Sequence, residues 1–152
     1  MIEIQGRVVL PGRGTGPALV TRMPINFTAA FTKPANLIPS RRSAINDHHH
    51  ELYKKRVKNT VLVFPAAIGS TYTGMMIMQL IFDGAAPAAM IVQNADSLLT
   101  SGVVLGDVWF NRSFPVIEYA NDDIFEKIHN GDKVEIDGST GEIKIDIVSS
   151  NF

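Results

Sequence analysis

The sequence predicts an α/β or β/β/α domain, a strand–helix–strand core with extra antiparallel strands beside it. Three observations predict it. The apolar run TVLVF (60–64) reads as a central strand covered on both faces. A largely apolar helical pattern over 72–82 follows, with apolar residues at 75, 76, 78, 80, 81 and 82. Near the far end, KVEIDGSTGEIKIDIV (133–148) alternates on both sides of an Asp-Gly turn, the strongest hairpin signal in the chain.

In chain order, IEIQGRVV (2–9) alternates apolar and polar residues and reads as a strand. A Gly-Pro turn in LPGRGTGPALV then leads into a short strand near Ala18–Thr21. Periodicity is poor from Met23 to Lys58, and so long an irregular stretch in one domain is usually functional or covered by a partner. After the central strand and its helix, Gly84 supplies a stop, with Pro87 just beyond. AAMIV (88–92) is the next strand, a short helix is expected near Ser97–Thr100, and FPVIEY (114–119) is another strand. Asn121 or Asp122 caps a helix running to about His129, where Gly131 stops it.

With 152 residues and no internal repeat, one domain over 1–152 is expected. The net charge of -1 gives no field for recruiting nucleic acid or an anionic membrane. There is no cysteine, so the chain has no thiol nucleophile and cannot itself supply thiolates to an iron–sulfur cluster. No signal peptide opens the sequence and no apolar run is long enough to span a bilayer, so a cytoplasmic location is expected.

The stretch that carries chemistry is FPAAIGSTYTGMMIMQL (64–80), a strand running through Gly69-Ser70-Thr71 into a helix. Gly69 and Gly74 have the spacing of a phosphate-binding P-loop, but Met75 and Met76 stand where that motif needs lysine and a hydroxyl. A serine nucleophile elbow needs glycines two residues either side, where Ser70 has Ile68 and Tyr72. Two readings remain open. Ser70 can lie beside the positive end of a helix dipole, where a carboxylate binds and a hydroxyl gives up its proton more easily. Alternatively, Ser70 or Thr71 simply caps the helix.

Other candidates have plainer readings. His48, His49 and His50 are adjacent, so regular structure cannot aim all three at one ion, and no metal site is assigned. Met75, Met76 and Met78 read as packing against the sheet, and Trp109-Phe110 as core or interface.

Most of the chain resembles the small subunit, or swivel domain, of the aconitase X family of hydro-lyases. The landmarks come in order: GRVVLPGRGTGPALVTRMPINF (6–27), DHHHEL (47–52), VLVFPAAIGSTYTG (61–74), GAAPAAMIV (84–92), LLTSGVVLGDVWFNRSFPVI (98–117) and GDKVEIDGSTGEIKI (131–145). The resemblance implies a swivelling β/β/α domain like the mobile domain of aconitase, with a mixed sheet or barrel, flanking helices and a terminal hairpin. It also implies an aconitase X large subunit as partner, holding an iron–sulfur cluster, and removal of water from a hydroxy acid. Ser70 falls where the family's proton-abstracting serine lies. Gly69, Thr71, Asn26, Asp47, His48 and His49 fall where substrate contacts are expected.

Two substrates are implied: phosphomevalonate in the archaeal branch and cis-3-hydroxy-L-proline in a bacterial branch. WFNRSFPV (109–116) and the histidine segment lean toward the second. The chain departs from the family pattern at Ile68, where a basic residue is common, at Thr73-Gly74 and at TAAFTKPAN (28–36), all expected to face substrate. A non-catalytic module on the same fold is the competing reading of those departures. Phosphohistidine swivel domains share the closing hairpin, but their chemistry needs a histidine in the turn that here holds Ser70.

Overall fold

The computed structural model describes residues 1–31, 38 and 42–148. Eight strands form one mixed sheet, β1 (Ile2–Gln5), β2 (Arg7–Leu10), β3 (Arg13–Val20), β4 (Val61–Phe64), β5 (Ala89–Val92), β6 (Val116–Glu118), β7 (Lys133–Asp137) and β8 (Glu142–Asp146), in the order β1-β8-β7-β3-β4-β5-β6-β2. Among the described residues four helices accompany them: α1 (Phe27–Phe31), α2 (Thr73–Phe82), α3 (Ser97–Phe110) and α4 (Ile124–Lys127).

The segment predicted as one strand over 2–9 is two strands broken at Gly6. β1 pairs antiparallel with β8 and β2 antiparallel with β6, so consecutive strands occupy the two ends of the order. A β-carbon at Gly6 would collide with Ile117, and the Gly6 N–H bonds the Gly141 carbonyl at 2.9 Å, so the break is packed from both sides.

β3 is longer than the predicted Ala18–Thr21. Arg13–Pro17 pairs antiparallel with β7, and Ala18–Val20 pairs parallel with β4. Its glycines lie where neighbouring backbone leaves no room for a side chain: a β-carbon at Gly14 would meet the Ala88 carbonyl, and one at Gly16 the Asn59 carbonyl.

β4 is buried on both faces, as its continuous apolar run predicts. Its alternation divides the interior into two cores. Val61 and Val63, with Ala89 and Ile91 of β5, face a cluster completed by α4 and the hairpin residues Val134, Ile136, Ile143 and Ile145. Leu62 and Phe64, with Met90 and Val92, face α1, α2 and α3. α1, α2 and α3 thus cover one side of the parallel strands β3-β4-β5-β6, and α4 with the antiparallel hairpin covers the other.

Three predicted elements differ in detail. α3 has 14 residues, not the short helix expected near Ser97–Thr100. Gly102 and Gly106, poor helix formers alone, lie where α3 presses on Gly74 and Ile81 of α2, so tertiary contact overrides propensity. α4 is shorter than predicted, because the Asn121 side chain accepts from the Asp123 N–H in a turn and Ile128 is already extended. The hairpin forms over the predicted strands, but its left-handed residue is Gly141 (φ 82°) rather than Gly138. The Asp137 carboxylate instead accepts from the Ser139 N–H and hydroxyl.

α1 falls inside the stretch read as irregular, where Phe27 packs on Phe31 and Phe64 at centroid distances of 6.0 and 5.8 Å. Among the described residues no helix is long and apolar enough to cross a membrane.

Candidate active site

The parallel strands place their carboxyl ends together, the usual ligand-binding edge of such sheets. The turn after β4 is laced to its neighbours by backbone bonds. Ile25, after β3, donates to the Ala66 carbonyl and accepts from the Ile68 N–H, both at 3.0 Å. Asn94, after β5, donates to the Pro65 carbonyl at 3.0 Å. The position of residues 65–68 is therefore set by the sheet.

Gly69 has φ 94°, the left-handed region where glycine is favoured. A β-carbon there would lie 2.5 Å from Asn26 Nδ2, so the Asn26 amide lies directly against the glycine. Asn26 Oδ1 meanwhile accepts from the Ala29 N–H at 3.1 Å and caps α1. Asn26 thus couples the head of α1 to the glycine–serine turn.

Ser70 is half-buried and neither it nor Thr71 is the α2 cap, a position held by Tyr72 with no side-chain cap bond. Ser70 Oγ accepts from the Tyr72 N–H at 3.0 Å. The Ser70 carbonyl accepts from the Thr73 hydroxyl at 2.8 Å and the Thr73 N–H at 3.4 Å. The serine backbone is pinned, and its hydroxyl stands at the positive end of α2 with one N–H directed at it. Gly69 and Thr71 flank it and are exposed.

Thr73 and Gly74 do not face a substrate as expected. Thr73 is buried beneath Ser70, and Gly74 lies against Leu98, Ser101 and Gly102 of α3. Ile68 is 49% exposed and remains on the open side of the turn. Of 28–36, residues 28–31 belong to α1 with Ala30 and Phe31 buried, and 32–36 lie outside the described residues.

The histidine segment is tied elsewhere. The Asp47 carboxylate accepts from the His49 N–H at 3.0 Å, and the His48 ring lies 4.5 Å from that of Tyr53. His50 is buried, with Nδ1 accepting from the Leu52 N–H at 3.1 Å, whereas His48 and His49 are exposed. Glu51 accepts from the Thr21 hydroxyl and the Arg22 N–H, anchoring the segment to the end of β3. Among the described residues no hydrogen bond or ion pair joins Asp47, His48 or His49 to residues 69–71, and no group of three or more His, Cys, Asp or Glu side chains is placed to hold a metal ion.

Two features escaped the sequence reading. A cleft of about 430 Å³ at the end of β3 is lined by Thr21, Arg22, Glu51, Phe125, His129 and Asn130, with the Arg22 guanidinium 5.2 Å from the Phe125 ring centre. Glu118, at the end of β6, accepts from the Ala95 N–H at 2.9 Å and pairs with Arg7 at 2.8 Å. The Ala95 N–H holds the Glu118 carboxyl below the usual carboxylate range, and Arg7 adds to this against partial desolvation. Both depend on partners distant in sequence, which no local pattern announces.

Fold and turn define an α/β swivel-type domain that presents a serine at the carboxyl edge of its parallel strands. Solved structures share the fold. The crystal structure of Thermococcus kodakaraensis aconitase X in its holo-form matches with a TM-score of 0.79 at 26% identity, covering 95% of this chain and 98% of that one. The family model of the aconitase X swivel domain matches residues 3–145, and the chain belongs to that family.

Among curated relatives, the phosphomevalonate dehydratase small subunit of Methanocella arvoryzae is 33% identical over 95% of this chain and 99% of its own length. That of Methanosarcina acetivorans is 28% identical over 95% and 91%. The cis-3-hydroxy-L-proline dehydratase of Hypocrea jecorina is 27% identical over 90% of this chain, which spans 22% of that longer protein.

Proposed function

We propose that this chain is the small subunit of an aconitase-X-type hydro-lyase, completed by a large subunit, in which Ser70 is the base that removes a proton from a hydroxy acid. The observation that carries the reading is the Ser70 hydroxyl at the head of α2, accepting from the Tyr72 N–H at 3.0 Å. A serine hydroxyl is a weak acid, so an alkoxide needs fixed donors and a helix terminus to be accessible. The bonds from Thr73 to the Ser70 carbonyl keep the oxygen in place while its charge changes.

Loss of water takes a proton from the carbon beside a carboxylate and breaks a C–O bond. Ser70 receives the proton. The exposed Gly69 and Thr71 backbone offers contacts to the carboxylate, and Asn26 holds the turn in register. Asp47, His48 and His49, which make no hydrogen bond to residues 69–71 among the described residues, are kept as candidate substrate contacts. An iron–sulfur cluster would supply a Lewis acid for the departing hydroxyl, but this chain has no cysteine and its residues do not fit such a group, so the cluster is assigned to the large subunit.

The substrate we assign is cis-3-hydroxy-L-proline or a related hydroxy acid. The exposed apolar Ile68 beside Ser70 supports it, because residues 65–72 contain no cation for a phosphate. The second reading is phosphomevalonate, favoured by relatives that match over 99% and 91% of their own length as separate small subunits. The test is anaerobic co-purification with the large subunit, followed by assay of water loss from each acid. Turnover of the hydroxyproline alone supports the first reading, and turnover of phosphomevalonate alone replaces it with the second. A chain that recruits no large subunit and turns over neither acid overturns the hydro-lyase reading.

A further inference from the structure

α2 and α3 run side by side, in contact through Gly74 and Gly102, with their amino ends together at the Ser70 turn. Each buries one stripe and leaves another outward. On α2 the outward stripe runs through Tyr72, Met75 and Phe82, so Met75 does not pack against the sheet as its spacing suggested. On α3 it runs from Leu98 through Leu105 to Val108 and Trp109, the last two 70% and 61% exposed. α2 contains no charged residue and α3 only Asp107. At the far end, Met78, Gln79, Phe82 and Phe110 line an apolar notch of about 230 Å³.

Scattered exposed apolar residues are ordinary, but exposed apolar side chains on two helices in contact, interrupted by Gln79 on α2 and by Ser101 and Asp107 on α3, have the composition of an interaction surface. A second copy seated along both stripes would cover Tyr72, Met75 and Leu98 and close off Ser70. A partner whose own half of the site faces Ser70 would cover the same residues and complete the site. From this continuity with the serine turn, we propose that the outward α2–α3 face, from Tyr72 to Trp109, is the surface on which the large subunit docks. The inference rests on the functional reading above and adds the surface that reading leaves unassigned.

The test uses the full chain and the purified large subunit, with affinity measured by titration calorimetry. The variant V108D/W109D changes exposed residues remote from Ser70, and its melting temperature alone serves as the folding control. The expected result is binding weakened roughly 100-fold or more, as for charges placed in an apolar hot spot. V108K, on the same stripe, is the second probe if the paired variant does not fold, and it too is expected to weaken binding. Unchanged affinity in a folded variant overturns the docking surface while leaving the dehydratase reading intact. A wild-type chain that does not bind the large subunit overturns both. A wild-type chain that self-associates, and loses only that property in the variant, assigns the face to a second copy and also overturns the proposal.

Discussion

Replacing Gly69 with alanine tests whether Asn26 holds the serine turn. Two effects add. A side chain at φ 94° lies in the left-handed region, which costs about 1–2 kcal/mol for a non-glycine residue. The new β-carbon would also lie 2.5 Å from Asn26 Nδ2 and 3.0 Å from its Cγ, so the amide must move. Moving it pulls Oδ1 from the Ala29 N–H and removes a helix cap, about 1 kcal/mol. Gly69→Ala is therefore expected to lose roughly 2–3 kcal/mol, a fall of roughly 4–12 °C in melting temperature for a domain of this size.

Asn26→Ala alone removes only the cap, about 1 kcal/mol. In the double variant the collision is gone and the cap is lost once, so the combined loss should fall about 1 kcal/mol short of the sum. Urea denaturation of the four proteins measures the cycle. Additive losses would refute the proposed contact between Asn26 and the turn.

Gly102→Ala puts a β-carbon 2.5 Å from the Gly74 carbonyl oxygen, so α2 and α3 must separate, and a net loss of about 1–3 kcal/mol is expected in urea denaturation. The depressed carboxyl of Glu118 contributes stability that is present above the ordinary glutamate range and lost as pH falls through its lower folded value. The acid limb of the wild-type stability curve should therefore be steeper than that of Glu118→Gln, as read by denaturation between about pH 6 and 2.5, a window spanning the ordinary glutamate range. Equal slopes would mean that the Ala95 and Arg7 contacts do not favour the charged form.

The parts of the fold legible in the sequence are those with strong local periodicity. β4 announced itself as an uninterrupted apolar run, and the β7–β8 hairpin by alternation, because each pattern follows directly from which faces are buried. The break at Gly6 and the length of α3 were not legible. Gly6 and Gly102 are explained by Ile117 and Gly74, which are far away in sequence. The serine turn was visible as glycine and hydroxyl residues between a strand and a helix. Its clamp was not, since Asn26 meets Gly69 only once β3 and β4 lie parallel. Thr73 and Gly74 were expected to face substrate only through the family resemblance, and the start of the helix turns both toward the interior.

The most direct test of the central claim is Ser70→Ala in the anaerobically purified complex, with turnover and stability measured on the same sample. The hydroxyl makes one local bond, to the Tyr72 N–H, so its removal should cost only about 0.5–1.5 kcal/mol of stability. Loss of the base should lower turnover by roughly 10²–10⁴-fold, with KM little changed. The expected pair of results is an intact complex that no longer removes water. A Ser70→Ala complex that dehydrates its substrate at the wild-type rate would contradict it, leaving Ser70 as part of the turn and the proton to another group.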